Sequence, residues 1–159
     1  ELARKNAVDP HKARIAALLH DCAKCLPEKE IERILAEHGA LPAREADRTK
    51  TLMHAAAGAI LAREKFGVTD PDILSAIRWH TTGRSGMSDL EKLIYLADVT
   101  EPNRRPFPAL PQIRAATWRS LDEGIKLAAE RTLSYLSKRG VQPDPNTLEL
   151  LSDYMEGNT

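Results

Sequence analysis

Five polar residues of this chain lie where apolar helical stretches begin or end. His20 and Asp21 follow Ile15, Ala16, Leu18 and Leu19, His54 opens the run Ala55-Ala56-Ala57, His80 follows Ala76 and Ile77, and Asp98 follows Leu96 and Ala97. A carboxylate or imidazole buried at such a place is costly unless a hydrogen bond, an opposite charge or a metal compensates it. Histidine and aspartate together suit iron, manganese or zinc, and one Asp carboxylate can bridge two ions with an oxygen on each. Adjacent helical positions point about 100° apart, so His20 and Asp21 reach one cluster only where their helix meets it obliquely or ends. Lys24, three residues beyond Asp21, then projects toward the same place. Taken singly, each residue has an ordinary reading. A His-Asp pair arises by accident, His54 and His80 serve as core or interface histidines, and Asp98 is an acid on a surface. His11 and His38 have solvent-exposed or helix-terminal explanations and are left out.

The elements that must position these residues are helical nearly throughout, with apolar positions recurring at the 3.6-residue period and Gly or Pro at the joints. Asp9 and Pro10 start a first helix running into His20-Asp21. A second begins at Pro27, with Glu28 and Glu30 in its first turn, and stops near Gly39. Residues 51–66 form a third helix bearing His54, and residues 71–80, opened by Asp70, a fourth ending on His80. Ser88 and Glu91 make a capping box for a fifth helix over 90–99 that carries Asp98. Four prolines then predict an ordered or semi-ordered loop over 101–111. A long helix over 113–139, stopped by Gly140, and a short one over 146–154 complete an all-α chain read as a single domain over 1–159.

Composition narrows the classes. The chain has 159 residues, 42% hydrophobic and 29% charged, the profile of a globular domain. Lys and Arg number 23 and Asp and Glu number 23, so no net field attracts nucleic acid or anionic lipid, and any anionic ligand must be held locally. Apolar runs stop far short of the roughly 20 residues a bilayer span needs. The expectation is a cytoplasmic protein with no nucleic-acid or membrane partner, with a homodimer left open. Cys22 and Cys25, a C-x-x-C pair with no second pair elsewhere, read as reduced thiols.

The segments Leu18-Leu19-His20-Asp21-Cys22-Ala23-Lys24, His54 to Ala59, Ile77 to Ser88 and Tyr95 to Arg104 occur in the order of one HD-domain subgroup. Over Glu1 to about Leu136 the chain resembles the YqeK family, bacterial symmetrical diadenosine tetraphosphate hydrolases. The resemblance implies an all-α HD-domain helical bundle with two divalent transition metals, usually described as iron, with manganese as the second candidate. It implies a dinucleoside polyphosphate substrate, diadenosine tetraphosphate being cut to two ADP. By motif, His20, Asp21 and Asp98 serve one metal and Asp21, His54 and His80 the other, with Asp21 bridging. The family also has a metal-ligating His in a helix ahead of the position of Glu1, which no residue here matches.

A polyphosphate bound by a chain of zero net charge needs local cations, and by position these are Lys24, Arg84 and Arg104. Arg84, between Gly83 and Gly86 in the loop after His80, is the favoured one, and Asp21, Lys24 and Arg84 form the expected catalytic set. Trp79 and Tyr95 are candidates to stack on a base, with core packing the stronger reading. Two other functions fit the same motifs: an HD phosphohydrolase acting on another nucleotide, and a catalytically silent module that binds nucleotide or a partner.

Overall fold

The computed structural model describes residues 1–44 and 47–155, and among them the chain is helical with no strand. The helices are α1 (Leu2–Lys5), α2 (Pro10–Leu19), α3 (Glu28–Glu37), α4 (Lys50–Phe66), α5 (Pro71–Trp79), α6 (Asp89–Thr100), α7 (Leu110–Arg119), α8 (Leu121–Lys138) and α9 (Pro145–Met155). The caps read from the sequence are present. Asp9 accepts from the His11 amide at 2.7 Å, and Asp70 from the Asp72 amide at 2.9 Å, each ahead of a proline that donates nothing. Ser88 and Glu91 close their box, with the Ser88 amide donating to Glu91 at 2.6 Å.

Helices α2, α5, α6, α7 and α8 share one core, in which Ala16, Ile77, Ile94, Leu96, Ile113 and Ile125 are nearly or wholly buried. A second cluster joins Ile31 and Leu35 of α3 to Met53, Ala57 and Leu61 of α4. The small residues of α4 have a purpose in this layout: a β-carbon at Gly58 would lie 3.4 Å from the His20 carbonyl oxygen, and the Cys22 thiol donates to the Gly58 carbonyl at 3.5 Å. The chain at 20–22 therefore lies against α4, one turn from His54.

The C-terminal half departs from expectation. The helix expected over 113–139 begins earlier, at Leu110, and is broken at Ser120, whose backbone is extended (φ −153°, ψ 140°). Ser120 takes an amide hydrogen bond from Asp122 at 3.2 Å, so it caps a new helix with Asp122 and Glu123 in its first turn. The turn folds α8 back on α7. Only glycine fits at 124, since a β-carbon would meet Thr117 Oγ1 at 2.6 Å and Leu96 Cδ1 at 3.0 Å. The short α1 was not expected, and the loop after α6 is three-residue turns and extended chain that ends with Pro111 inside α7. Helix α9 docks on the loop that follows His80: Thr147 donates to the Thr82 carbonyl at 2.9 Å, and Asp153 accepts from Ser85 and from the Gly86 amide, both at 2.9 Å.

Candidate metal centre

Helix α2 stops at Leu19, and His20 is its C-cap, so the constraint on adjacent residues is met by ending the helix. Residues 20–25 continue as successive turns, which aim His20 and Asp21 at one point. His54 comes from the first turns of α4 and His80 caps α5; both are buried. Asp98 arrives from the last turn of α6.

The three imidazoles are fixed alike. His20 Nδ1 lies 2.8 Å from the Ala17 carbonyl, His54 Nδ1 3.2 Å from that of Lys50, and His80 Nδ1 2.8 Å from that of Ile77. A carbonyl only accepts, so each Nδ1 carries the proton and each Nε2 turns a lone pair inward. These lone pairs converge: His54 Nε2 is 3.2 Å from His80 Nε2. Asp21 Oδ2 faces His20 Nε2 at 3.4 Å, while Oδ1 faces His54 Nε2 at 3.2 Å and His80 Nε2 at 3.6 Å. Asp98 Oδ1 is 3.9 Å from His20 Nε2. Asp21 Oδ1 is buried without a hydrogen-bond donor, and the Thr81 hydroxyl, 3.2 Å from His80 Nε2, is the one donor that reaches an imidazole nitrogen from inside. Acceptors facing acceptors repel, and a cation among them is the arrangement's chemical complement. Ligand atoms of His20, Asp21 and His80 lie within 4.8 Å of one another, a fit for a divalent metal.

The charges agree with this. Burial and the neighbouring His80 push the His54 imidazole down from its ordinary value, favouring the neutral ligand form. Burial alone would raise the Asp21 carboxyl, but the His80 ring, the Lys24 ammonium and the charge of His20 outweigh it and hold Asp21 well below the usual carboxylate range. Asp21 is thus an anion across the whole neutral range.

Lys24 pairs with Asp21 Oδ2 at 2.6 Å, and Arg104 Nη1 reaches Asp98 Oδ1 at 3.4 Å. Both border the cavity beside the cluster. Arg84 is a correction. Its Nε and Nη2 donate to the two oxygens of Glu91, each at 2.9 Å, its Nη1 donates to the Ser85 carbonyl, and it lines neither lobe of the cavity. The cause is Glu91, 1% exposed, whose buried charge demands a partner that the sequence reading, which used Glu91 only as a cap, did not count. Trp79 lines a different groove, and Tyr95, 2% exposed, belongs to the core. Arg131 of α8 lines the cavity and was missed, because nothing local marks one arginine on an amphipathic helix. His38 pairs with Glu64 at 2.7 Å, away from the cluster, and both cysteines are free.

The sequence pattern of the HD domain matches residues 1–103, a span that holds all five metal-ligand candidates. The chain belongs to the HD-domain family. As an HD-domain protein it is 42% identical over 147 residues to the symmetrical bis(5'-nucleosyl)-tetraphosphatase of Bacillus subtilis, covering 92% of this chain and 78% of that one. A protein of the same name from Halalkalibacterium halodurans is 38% identical over 151 residues, covering 93% of this chain and 78% of its own. The fold matches a crystal structure from Clostridium acetobutylicum, described as a "predicted HD superfamily hydrolase involved in NAD metabolism", with a TM-score of 0.91 at 38% identity over 99% of this chain and 82% of that one. Among the described residues no helix is long and apolar enough to cross a membrane.

Proposed function

We propose that this HD-domain protein is a metal-dependent hydrolase that cuts diadenosine tetraphosphate symmetrically into two ADP. The observation that carries the metal reading is the orientation of Asp21, which turns one oxygen to His20 and the other to His54 and His80. A carboxylate so shared suits two divalent ions, His20, Asp21 and Asp98 holding one and Asp21, His54 and His80 the other, with iron the first candidate and manganese the second. Bound there, the metals would supply Lewis-acid polarisation of a phosphoryl oxygen and an activated water. The substrate's identity is supported by relatives that carry the symmetrical tetraphosphatase name.

The chain's own residues do the rest. The carbonyls of Ala17, Lys50 and Ile77 hold the three rings in one tautomer and orientation, which limits the reorganisation needed when ligands bind. Lys24, with its side chain 53% exposed, and Arg104 stand at the cavity edge, where their donors meet phosphate oxygens and offset charge on a departing ADP. Arg84 acts as a positioning residue: paired with Glu91, it fixes the loop after His80.

Chelation tests the metal requirement. Stripping the protein should lower hydrolysis by about a hundredfold or more, with recovery on adding iron or manganese, since metal assistance contributes several kcal/mol to such a step. Undiminished turnover by protein shown to be metal-free would refute the reading.

A further inference from the structure

The cavity has two lobes that share Lys24, Asp98 and Arg104. One is bordered by His20 and Asp21, the other by His54, His80 and, across from them on α8, Arg131. Arg131 differs from its peers. Arg33, Arg84, Arg104 and Arg119 are each spent on carboxylates at 2.6 to 3.4 Å. The Arg131 guanidinium instead lies 4.1 Å from the centre of the Phe107 ring and 5.3 Å from that of Tyr135, with no ion pair among the described residues. Stacking orders a guanidinium through its face and leaves the N–H edge free, and that edge matches phosphate oxygens. A half-buried cation held in place without an anion, in the wall of a cavity of about 200 Å³ that also holds two metal-ligand candidates, is a site prepared for a bound anion.

We infer that Arg131, seated on Phe107, binds the phosphates of the nucleotide half beyond the scissile bond and so makes the enzyme prefer an extended polyphosphate chain over a compact phosphodiester. This rests on the proposed dinucleoside polyphosphate activity. A single-phosphate ester placed at the metal cluster does not reach α8; a chain of four phosphates has charge left to extend into the second lobe.

The experiment compares wild type with Arg131→Met and Arg131→Lys on diadenosine tetraphosphate and on bis(p-nitrophenyl) phosphate, with metal content and melting temperature recorded for each. Arg131→Met should raise KM for the tetraphosphate about 10- to 100-fold, the size of one or two lost charge-assisted hydrogen bonds, with kcat, small-diester turnover, metal content and melting temperature near wild type. Arg131→Lys, which keeps the charge without the fork, should fall between. An unchanged KM, an equal loss on both substrates, or a fall in metal content or melting temperature overturns the inference. Calorimetric titration with inorganic tripolyphosphate reads Arg131 without turnover: weaker binding by Arg131→Met supports the role even if the wild type yields no ADP, an outcome that would remove only the activity assignment, and equal binding by both overturns it.

Discussion

Asp21→Ala should abolish metal binding and lower hydrolysis by about a thousandfold or more while leaving the metal-free fold as stable as the wild type. The first half follows from its position, since every imidazole of the cluster faces one of its two oxygens and neither metal keeps its full ligand set without it. Loss of several kcal/mol of electrostatic stabilisation corresponds to that rate. The second half follows from Oδ1, which is buried without a donor, so deleting the carboxylate removes a desolvation cost. The ion pair lost with it, to the half-exposed Lys24, contributes little. Elemental analysis, turnover and thermal melting of the stripped proteins check the three parts. A residue whose role was structural would instead lower the melting temperature of the stripped protein.

Glu91→Gln should destabilise the protein by about 2–3 kcal/mol, below the 3–5 typical of a broken buried pair because water reaches Arg84, whose side chain is 34% exposed. For a chain of this size that lowers the melting temperature by roughly 4–12 °C. The carboxylate is held by four donors: Arg84 through two nitrogens, Ser75 at 2.6 Å and the Ser88 amide at 2.6 Å. Burial would raise its proton affinity, but these donors together hold Glu91 below its ordinary value. Its contribution is therefore present above the ordinary carboxylate range and fades as pH falls through the lowered value, so the gap between wild type and Glu91→Gln should close in acid. Arg84→Ala should lose a similar amount of stability with KM for the nucleotide near wild type. The opposite pattern, an intact melting temperature with a raised KM, would restore Arg84 as a phosphate ligand.

The pattern of what could be read in the chain has physical causes. Helix starts were legible because caps are local: Asp9, Asp70 and Ser88 act on amides two or three residues away. The break at Ser120 was local too, but the apolar period runs through it, and only the close approach of α7 and α8 at Gly124 reveals the reversal. The five ligand candidates were recognisable because their residue types and motif spacings are unusual, and the structure brings them together. The cations were not. Arginines look alike in a sequence, and whether one meets substrate depends on which carboxylate claims it first: Glu91 takes Arg84, while Arg131, far along the chain, has Phe107 beneath it and no anion.

The measurement closest to the centre of the function is the product of one turnover. Metal-loaded protein given diadenosine tetraphosphate, with nucleotides separated as they form, should yield ADP alone. Equal amounts of ATP and AMP, or no product from protein shown to carry its metals, would contradict symmetrical cleavage at this site.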